Sequence, residues 1–550
     1  MMKKTIVLLM VIMVFAVMAL ASCAAAPPKE TPAEEAPPSI GAPIEDYYDD
    51  APVAEEPDSS IYEETPTAPE APLDGAAAPE AESYIPIDEN LESPTDSDSL
   101  VTFSLKVDTA SYSNTSRYLD SGSLPPADAV KVEELLNYFS YESPVEYDGH
   151  PLGVYTEIAQ SPFDSEKYMA FIRVKAQEID KSDLPPSNLV FLIDTSGSMD
   201  SYDKLPLLKE AFALLTDTLT ENDRVSIVTY AGSSAVVLDG APGSDKARIL
   251  DAVYNLEAGG STAGAEGIWT AYQLAKNNFI EGGNNRVILA TDGDFNVGIS
   301  STGELSEFIS TGRGTGIYLS TLGFGTGNLR DDVMETLAKD GNGNYSYIDS
   351  KKTAEKVLVD ELGSNLFTIA DDVKAQVEFN PANVTGYRLI GYENRQLKDE
   401  EFSDDTKDAG EIGVGTDVVI LFELELANPG TGGTDLKYGG NTGSAPSQTD
   451  FGKYGDELFE VRLRYKNPGE SESNLILSPV TFGSINQTAS TDMNFACSVA
   501  EWGMQLRQSP NAAGASITEI FDLAKNNLGD DEGGYRTQHL LTLRHWMAIA

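Results

Sequence analysis

A run of alternating strand and helix patterns in the middle of the chain limits its fold more than any other feature. Its first predicted strand, Leu189–Ile193, is an unbroken apolar run, as expected for a parallel strand that is covered on both faces. In the next helix, predicted for Leu205–Leu219, apolar side chains recur at helical spacing. Further strands are predicted at 225–230, 287–290, 317–322 and 345–348, and further helices at 245–256, 264–279, 303–311, 329–339 and 353–367. Such alternation predicts an α/β fold, a doubly wound and mostly parallel sheet with right-handed crossovers.

Strand patterns also lie on both sides of this α/β unit. Before it they occur at 101–107, 155–160 and 168–175, together with helical patterns at 108–118 and 127–139. After it they occur at 373–379, 387–392, 417–425 and 458–465, and the chain ends in helical patterns at 493–508, 516–526 and 535–547. We expect the later strands and the pair at 155–160 and 168–175 to form one accompanying β-rich domain, with the α/β unit inserted between them.

The N-terminus has the pattern of an exported protein. The basic start Met1–Lys4 precedes an apolar run, Ile6–Leu20, and then the small residues Ala21 and Ser22. The run is shorter than the roughly 20 residues of a permanent transmembrane helix. The sequence Leu-Ala-Ser-Cys that ends at Cys23 also resembles the bacterial lipobox, in which the cysteine is lipidated and becomes the first mature residue. An ordinary signal peptide with a chance cysteine and an uncleaved anchor are the alternatives.

Residues 24–100 have the composition of a tether. They contain one basic residue, Lys29, among many acidic residues and prolines, and few large apolar side chains. Such a segment cannot bury enough apolar surface to offset the entropy of ordering, so we expect it to be disordered. Charge repulsion and proline extend such a chain.

Charge and residue counts exclude several classes of protein. The chain has 88 acidic and 37 basic residues and a net charge of −51, which repels phosphate backbones, so we expect no nucleic-acid binding. Two cysteines and three histidines are too few for a disulfide scaffold or a multi-histidine metal site. With Cys23 lipidated, Cys497 is most simply a buried and inert thiol.

These patterns divide the chain into six regions. They are a lipoprotein signal peptide at 1–22, an acidic proline-rich tether at 23–100, an N-terminal flanking region of helices and strands at 101–187, the α/β domain at 188–368, a β-rich domain at 369–485 and a C-terminal helical region at 486–550.

Three oxygen-rich turns follow strands or precede helices in the α/β domain. The first, Asp194–Ser198, follows the first central strand; the second, Gly259–Thr262, precedes a helix; the third, Thr291–Gly293, ends the strand at 287–290. In an open α/β sheet, ligands bind at the carboxyl ends of the strands. Carboxylates and hydroxyls without histidine or cysteine are hard ligands that suit Mg²⁺, Mn²⁺ or Ca²⁺.

These residues resemble the metal-ion-dependent adhesion site of the von Willebrand factor A family, whose pattern is Asp-x-Ser-x-Ser, then a Thr, then an Asp. The matching positions are Asp194, Ser196, Ser198, Thr262 and Asp292. The resemblance implies that the two serines and the threonine contact the metal directly and that the aspartates act largely through water. It also implies one exchangeable position that a Glu or Asp carboxylate of a protein partner occupies. Mg²⁺ suits such a site because it prefers six oxygens and retains waters.

The resemblance extends to the flanking regions. The segment Val107–Tyr112, the turn Leu124–Pro126 and the C-terminal helices are similar to those of a group of bacterial envelope proteins that carry this A domain in mid-chain. The similarity spans nearly all of residues 100 to 550.

Together these features predict a lipid-anchored protein of the cell envelope, on the periplasmic or extracellular side. It would bind a protein partner through the divalent cation. A structural scaffold stabilised by the metal is one alternative. A metal-assisted hydrolase is another, but the α/β domain has no histidine, no Gly-x-Ser-x-Gly elbow and no phosphate-binding loop of the Gly-x-x-x-x-Gly-Lys type, so we expect no enzymatic activity.

Overall fold

The computed structural model of the protein describes residues 82–106, 108–260, 264–293, 302–427 and 455–550. All of them lie within one compact unit, Gly75–Ala550. The predicted signal peptide, Cys23 and most of the predicted tether lie outside the described residues. Among the residues that are described, no helix has the length and apolar character needed to cross a membrane.

The N-terminal flanking region contributes four strands and two helices. The strands are β1 (Ser93–Pro94), β2 (Leu100–Ser104), β3 (Leu152–Gln160) and β4 (Tyr168–Ala176), and the helices are α1 (Ala110–Asp120) and α2 (Val132–Asn137). The helix expected at 127–139 is shorter because a 3-10 turn, Ala127–Ala129, precedes α2. These elements do not form a domain of their own, since each one packs against elements from later in the chain.

The α/β domain is built on a six-stranded sheet. Its strands are β5 (Ser187–Asp194), β6 (Arg224–Tyr230), β7 (Ser234–Pro242), β8 (Asn284–Thr291), β9 (Ile317–Phe324) and β10 (Tyr345–Ile348). The strand order is β10-β9-β8-β5-β6-β7, and only β7 pairs antiparallel. Apolar clusters cover both faces of the sheet. The predicted doubly wound, mostly parallel sheet is therefore confirmed, with β7 added at one edge.

Helices connect these strands and lie on both faces of the sheet. They are α3 (Leu205–Thr218), α4 (Lys246–Tyr254), α5 (Gly264–Asn277), α6 (Thr302–Arg313), α7 (Asp331–Asp340), α8 (Lys351–Glu355) and α9 (Leu362–Leu366). The single helix expected at 353–367 is interrupted by a π-helical segment, Lys356–Asp360. There the Glu361 amide bonds the Lys356 carbonyl five residues earlier, at 2.8 Å. The Lys356 side chain is buried and pairs with the Glu361 carboxylate, which holds this wider turn in place.

The flanking strands and the strands that follow the α/β domain form a sandwich of two sheets. The later strands are β11 (Thr368–Phe379), β12 (Val384–Ile390), β13 (Gln396–Leu397), β14 (Gly410–Gly413), β15 (Asp417–Leu426), β16 (Glu457–Lys466) and β17 (Ser473–Thr481). One sheet has the order β1-β12-β15-β4-β3, and the other has the order β13-β2-β11-β16-β17 with β14 beside β11. Phe103 and Val377 of one sheet share a core with Ile172 and Phe422 of the other.

The α/β domain is inserted into this sandwich at a single place. The chain leaves the sandwich after β4 and returns to it at β11. The Gly415 amide donates to the Gln177 carbonyl at 2.9 Å, and the adjacent Val414 amide donates to the Phe367 carbonyl at 2.8 Å. Two consecutive amides of the sandwich therefore hold both ends of the inserted domain side by side.

The terminal helices cover the outer face of the sheet that contains β12, β15 and β4. They are α10 (Thr491–Leu506), α11 (Ile517–Asn526) and α12 (Tyr535–Ile549), and they pack with α1 and α2. Their shared core places Trp502 and Leu136 against Phe171 and Leu421 of the sheet. The β-rich domain and terminal helices expected beside the α/β sheet are thus present.

The structure differs from the predicted tether at its C-terminal end, since residues 82–99 lie against the folded body. The Glu82 carboxylate accepts hydrogen bonds from the Arg117 guanidinium at 2.5 Å and from the Gly327 amide at 2.8 Å. Further along, β1 pairs with β12. Polar contacts hold this segment, so its low hydrophobicity, which predicts disorder, does not prevent docking.

Candidate metal centre

The topology brings two of the oxygen-rich turns together at one edge of the sheet. Strands β5 and β8 are parallel neighbours, with Ile193 opposite Ala290, so the residues that follow them emerge next to each other. The turn that begins at Gly259 is hydrogen-bonded to the first one. The Gly259 amide donates to the Thr195 carbonyl at 2.8 Å, and the Gly197 amide donates to the Gly260 carbonyl at 3.2 Å.

Asp194 is the buried carboxylate at the end of β5. Its Oδ1 accepts the Ser196 amide at 2.8 Å, and its Oδ2 accepts the Thr291 hydroxyl at 3.0 Å and the Tyr230 hydroxyl at 3.2 Å. Burial and, to a smaller extent, the charge of Asp292 raise the pKa of Asp194 to about 6. The hydrogen bonds from Ser196 act in the opposite direction. A carboxylate in this setting is stabilised in its charged form by any added cation.

The two serines of the first turn present their hydroxyls together. Ser196 Oγ and Ser198 Oγ are 2.9 Å apart, and Ser198 is exposed while Ser196 is buried. Adjacent ligands of an octahedral Mg²⁺ with bonds of about 2.1 Å lie about 3 Å apart. The spacing of the two hydroxyls therefore fits two neighbouring ligand positions of Mg²⁺, with solvent access on the side of Ser198.

Asp292 completes the described part of the site from the end of β8. Burial acts to raise its pKa, but the hydrogen bond and charge of Lys204, with further bonds from Ser198 and Asn328, lower the pKa below its ordinary value. The next residue, Gly293, has a φ of +96°, and a Cβ there would lie 2.6 Å from the Arg330 amide nitrogen. Glycine thus lets the loop that carries Asn328 approach this end of the strand.

Lys204 is a member of the site that the sequence analysis did not identify. Its Nζ lies 2.8 Å from Asp292 Oδ2 and 3.3 Å from Asn328 Oδ1, and the side chain is buried. Its position in the sequence, one residue before α3, carries no metal-site pattern, although it is the first basic residue after the Asp194–Ser198 turn. In this arrangement an ammonium group compensates the charge of one carboxylate of the site.

The structure brings together four of the five residues predicted to bind metal: Asp194, Ser196, Ser198 and Asp292. Thr262, the fifth, lies outside the described residues, as does the predicted lipidation site Cys23. All the donors are oxygens of carboxylates and hydroxyls, which are the ligands of Mg²⁺, Mn²⁺ and Ca²⁺ rather than of softer metals. The described residues therefore fit a hard divalent cation.

Family models match most of the described chain. The von Willebrand factor type A domain model matches residues 188–361. A second model, described as "von Willebrand factor", matches residues 78–170, and a third, described as "Uncharacterized protein YfbK, C-terminal", matches residues 364–548. The matches cover the α/β domain and both flanking regions.

Two relatives and one solved structure illustrate what the chain is similar to. The uncharacterized protein YfbK of Escherichia coli (strain K12) is 41% identical over 488 residues, which are 87% of this chain and 84% of that protein. Inter-alpha-trypsin inhibitor heavy chain H3 of Mus musculus is 28% identical over 166 residues, 29% of this chain and 18% of that one. The solved structure of a von Willebrand factor type A protein from Catenulispora acidiphila is 18% identical, covers 72% of this chain and 91% of its own, and has a TM-score of 0.38.

Proposed function

Because the chain belongs to the family of von Willebrand factor A domain proteins that includes YfbK of Escherichia coli, we propose that it is a binding protein that captures a protein partner through a divalent cation. Asp194, Ser196, Ser198, Thr262 and Asp292 would hold the cation, with Mg²⁺ as the first choice and Mn²⁺ or Ca²⁺ as substitutes. The partner would supply a Glu or Asp carboxylate.

The observation that carries this proposal is the convergence of two strand-end carboxylates and two hydroxyls beside solvent. A bound cation would supply a positive charge on which an incoming carboxylate can bind. The protein's own residues set the geometry: Tyr230 and Thr291 orient Asp194, and the Asp194 carboxylate orients the Ser196 amide. The exposed position of Ser198 leaves room for a ligand from outside.

We propose binding rather than catalysis. The three histidines of the chain, His150, His539 and His545, all lie outside the α/β domain. Activation of a hydroxyl nucleophile ordinarily needs an adjacent general base, for which histidine is the usual choice. The oxygens of carboxylates and hydroxyls in this site suit a hard cation, which supports a binding role.

The cellular setting forms part of the same proposal. A lipid attached to Cys23 would hold the protein at the surface of a membrane in the cell envelope, on the periplasmic or extracellular side. Residues between Cys23 and Glu82 would then separate the α/β domain from that surface. Replacement of Cys23 by Ser should release the protein into the soluble fraction and abolish incorporation of labelled fatty acid. The proposed anchor is contradicted if Cys23→Ser is recovered with the membrane as wild type is and wild type incorporates no labelled fatty acid.

Metal binding is tested first with MnCl₂ alone, by calorimetric titration of the purified protein. Wild type should bind one ion at the site, and Ser198→Ala should weaken that binding about tenfold or more, because a direct ligand is lost. Ser201→Ala is the matched control, since Ser201 is an exposed serine three residues away whose hydroxyl bonds Asp203. Equal affinity of Ser198→Ala and wild type would contradict the assignment of ligands.

Partner capture is tested by crosslinking in intact cells with and without EDTA, comparing Ser198→Ala with Ser201→Ala. The proposal expects the same crosslinked protein with wild type and Ser201→Ala, and its loss with EDTA or Ser198→Ala. Crosslinking that persists under both treatments would favour the alternative in which the metal only stabilises a scaffold. In that case Mn²⁺ should still raise the unfolding temperature.

A further inference from the structure

Two other groups of carboxylates lie close together in the described residues, and only one of them lacks a full set of cationic partners. The first consists of Asp108, Glu134 and Glu335. Arg395 lies 2.8 Å from Asp108 and 2.7 Å from Glu335, and Lys131 Nζ lies 2.9 Å from Glu335. Cations of the chain itself neutralise this group, so it has a structural explanation.

The second group, Asp372, Asp408 and Glu411, is built by an irregularity in the sandwich. Strands β11 and β14 pair at Ala370 with Ile412 and at Val373 with Gly410. Between these pairs, two residues of β11 stand opposite the single residue Glu411, which is the arrangement of a β-bulge. Asp372 is the second of those two, with a φ of +52°, and its Oδ1 accepts the Ala409 amide at 3.0 Å.

The bulge places three carboxylates around a common point. One oxygen from each of Asp372, Asp408 and Glu411 lies within 4.8 Å of the others. Glu411 is 9% exposed, and its Oε1 is buried with no hydrogen-bond partner among the described residues. A buried carboxylate oxygen without a hydrogen-bond partner loses its hydration without compensation, which destabilises the charged form of the group.

Among the described residues, basic side chains form ion pairs with the other two carboxylates but not with Glu411, on which the charges of Lys106, Arg286 and Arg313 act without an ion-pair contact. Arg313 Nη1 contacts Asp408 Oδ2 at 2.9 Å, and Lys466 Nζ contacts Asp372 Oδ2 at 2.6 Å. Lys106, the other nearby lysine, is paired with Asp108 at 3.2 Å. Glu411 is therefore the one carboxylate of the group without a direct ion pair among the described residues.

Burial, together with the charges of Asp408, Asp371 and Asp372, raises the pKa of Glu411 to about 8, although Lys106 acts in the opposite direction. A cation bound beside Glu411 would give its unpartnered Oε1 the interaction that the described residues do not supply. Half of the Asp408 side chain is exposed, which gives a cation and its waters access to the group from solvent.

We propose that Asp372, Asp408 and Glu411 form a calcium-binding site that is separate from the strand-end site of the α/β domain. Calcium takes six to eight oxygen ligands at about 2.3–2.6 Å in flexible geometry, so it tolerates carboxylates that an irregular bulge brings together. Mg²⁺ demands near-ideal octahedral geometry, which an irregular bulge is less suited to supply. Waters on the side of Asp408 would complete the coordination.

The site would tie together three parts of the molecule. Asp372 belongs to β11 and Glu411 to β14, while Asp408 contacts Arg313 at the end of α6 in the α/β domain. A bound ion would pin the bulge to the loop before β14. It would also hold Asp408 in place to pair with Arg313, so the ion would stiffen the junction between the sandwich and the inserted domain.

The test is a calorimetric titration of the whole folded protein with CaCl₂ in millimolar Mg²⁺, which occupies the strand-end site. We expect one Ca²⁺ with a dissociation constant on the order of 10⁻⁴ to 10⁻³ M, the range of extracellular calcium modules. Glu411→Gln should weaken binding at least tenfold. Asp408→Asn, a change at a half-exposed position that leaves the core intact, should also weaken it.

Two controls separate this site from other effects. Glu400→Gln removes an exposed carboxylate from the loop before β14 and should leave the affinity unchanged. Ser198→Ala should also leave it unchanged, so failure of the proposed strand-end site and failure of the calcium site give different results. Thermal unfolding adds a second measurement, since Ca²⁺ should raise the unfolding temperature of wild type but not of Glu411→Gln.

The proposal is overturned by the absence of calcium binding in wild type, or by equal affinity in wild type, Glu411→Gln and Asp408→Asn. Without Ca²⁺, Glu411→Gln should be at least as stable as wild type, because the amide removes an unpartnered acid. A variant that is less stable without Ca²⁺ and binds Ca²⁺ as tightly as wild type would assign Glu411 a purely structural role.

Discussion

The strand-end site of the α/β domain contains its own competitor for a metal ion. The Lys204 ammonium contacts Asp292 at 2.8 Å inside a buried pocket, where the effective dielectric is lower than in water. A cation that binds near Asp292 must share that carboxylate with Lys204 or displace it. In the proposed metal site, Lys204 would therefore set an upper limit on metal affinity.

Replacement of Lys204 by Met should tighten metal binding, since the competing charge is removed and the side chain keeps its length. We expect about a tenfold lower dissociation constant for Mn²⁺, equivalent to about 1.4 kcal/mol. Calorimetric titration measures it, with Lys209→Met as the control because Lys209 bonds only carbonyls of Tyr254 and Leu256. Weaker binding by Lys204→Met would show instead that Lys204 helps to orient Asp292.

His539 should make stability depend on pH. Its ring is buried among aromatic rings, including Trp502 at 4.8 Å and Phe139 at 5.4 Å between centroids, and burial lowers its pKa from 6.5 to about 3. The folded state thus resists protonation that the unfolded chain accepts. The stabilisation is complete above pH 6.5 and is lost as the pH falls from 6.5 towards 3, by about 2 kcal/mol at pH 5.

His539→Phe removes this dependence, because phenylalanine does not titrate. Denaturant unfolding at pH 7 and pH 5 should show wild type losing about 2 kcal/mol more than the variant over that interval. All other titrating groups are common to both chains, so the difference isolates His539. Equal losses of the free energy of unfolding in the two proteins would mean that the His539 ring has the same pKa in the folded and unfolded states.

At the scale of elements, residues 82–99 should behave as a docked strap rather than as part of a free tether. Burial acts to raise the pKa of Glu82, but Arg117 outweighs it and lowers the pKa to about 2, so the carboxylate stays charged at all but the lowest pH. Its contribution to stability is present above pH 4.5 and is lost as the pH falls towards 2.

Glu82→Ala should release this segment by removing charge-assisted hydrogen bonds, each with a contribution of about 1.5–3 kcal/mol. Limited proteolysis should then cut within residues 82–99 faster than in wild type. Glu92→Ala is the control, since its carboxylate is half exposed and pairs with Lys167 at the surface. Equal cleavage rates in all three proteins would show that β1 alone holds the segment.

Elements with strong periodicity could be predicted from the sequence, and elements that depend on tertiary contacts could not. The central strand at Leu189–Ile193 is covered on both faces, so its apolar run is unbroken and clear. Strand β7 is a half-exposed edge with two register shifts against β6, which destroy the alternation that would reveal it. The π-helical segment at 356–360 contains a buried lysine, Lys356. The spacing of apolar residues in the sequence does not reveal that a lysine is buried.

The same distinction applies to the two sites. Asp194, Ser196, Ser198 and Asp292 follow strand ends, and the topology of a parallel sheet gathers such residues without further information. The calcium site depends on a two-for-one mismatch between β11 and β14, and no motif in the sequence marks the register of that pair. Lys204 reaches Asp292 from the N-cap position of α3, and no sequence motif marks that contact.

At the scale of the whole molecule, buried ion pairs join the α/β domain to its surroundings. Lys131, between the helices of the N-terminal flanking region, lies 2.9 Å from both Asp331 and Glu335 of α7. Its side chain is 3% exposed, and it pairs with Asp331 while sharing Glu335 with Arg395.

Lys131→Met should leave those two acids buried with less compensation. We expect the free energy of unfolding to fall by about 3–5 kcal/mol, as is usual when one partner of a buried pair is removed. Lys407→Met, which breaks an exposed pair with Glu401, should change it by less than about 1 kcal/mol. Similar small effects of the two substitutions in denaturant unfolding would mean that Asp331 and Glu335 do not need the charge of Lys131 to remain buried.

The side-by-side attachment of the inserted domain has a consequence for how such proteins diversify. The consecutive amides of Val414 and Gly415 bond the carbonyls of Phe367 and Gln177, so the two ends of the inserted domain lie next to each other. A recombination event at these two positions could replace one inserted domain by another without shifting any strand of the host sandwich. Changes in the inserted domain and in the sandwich can then accumulate independently.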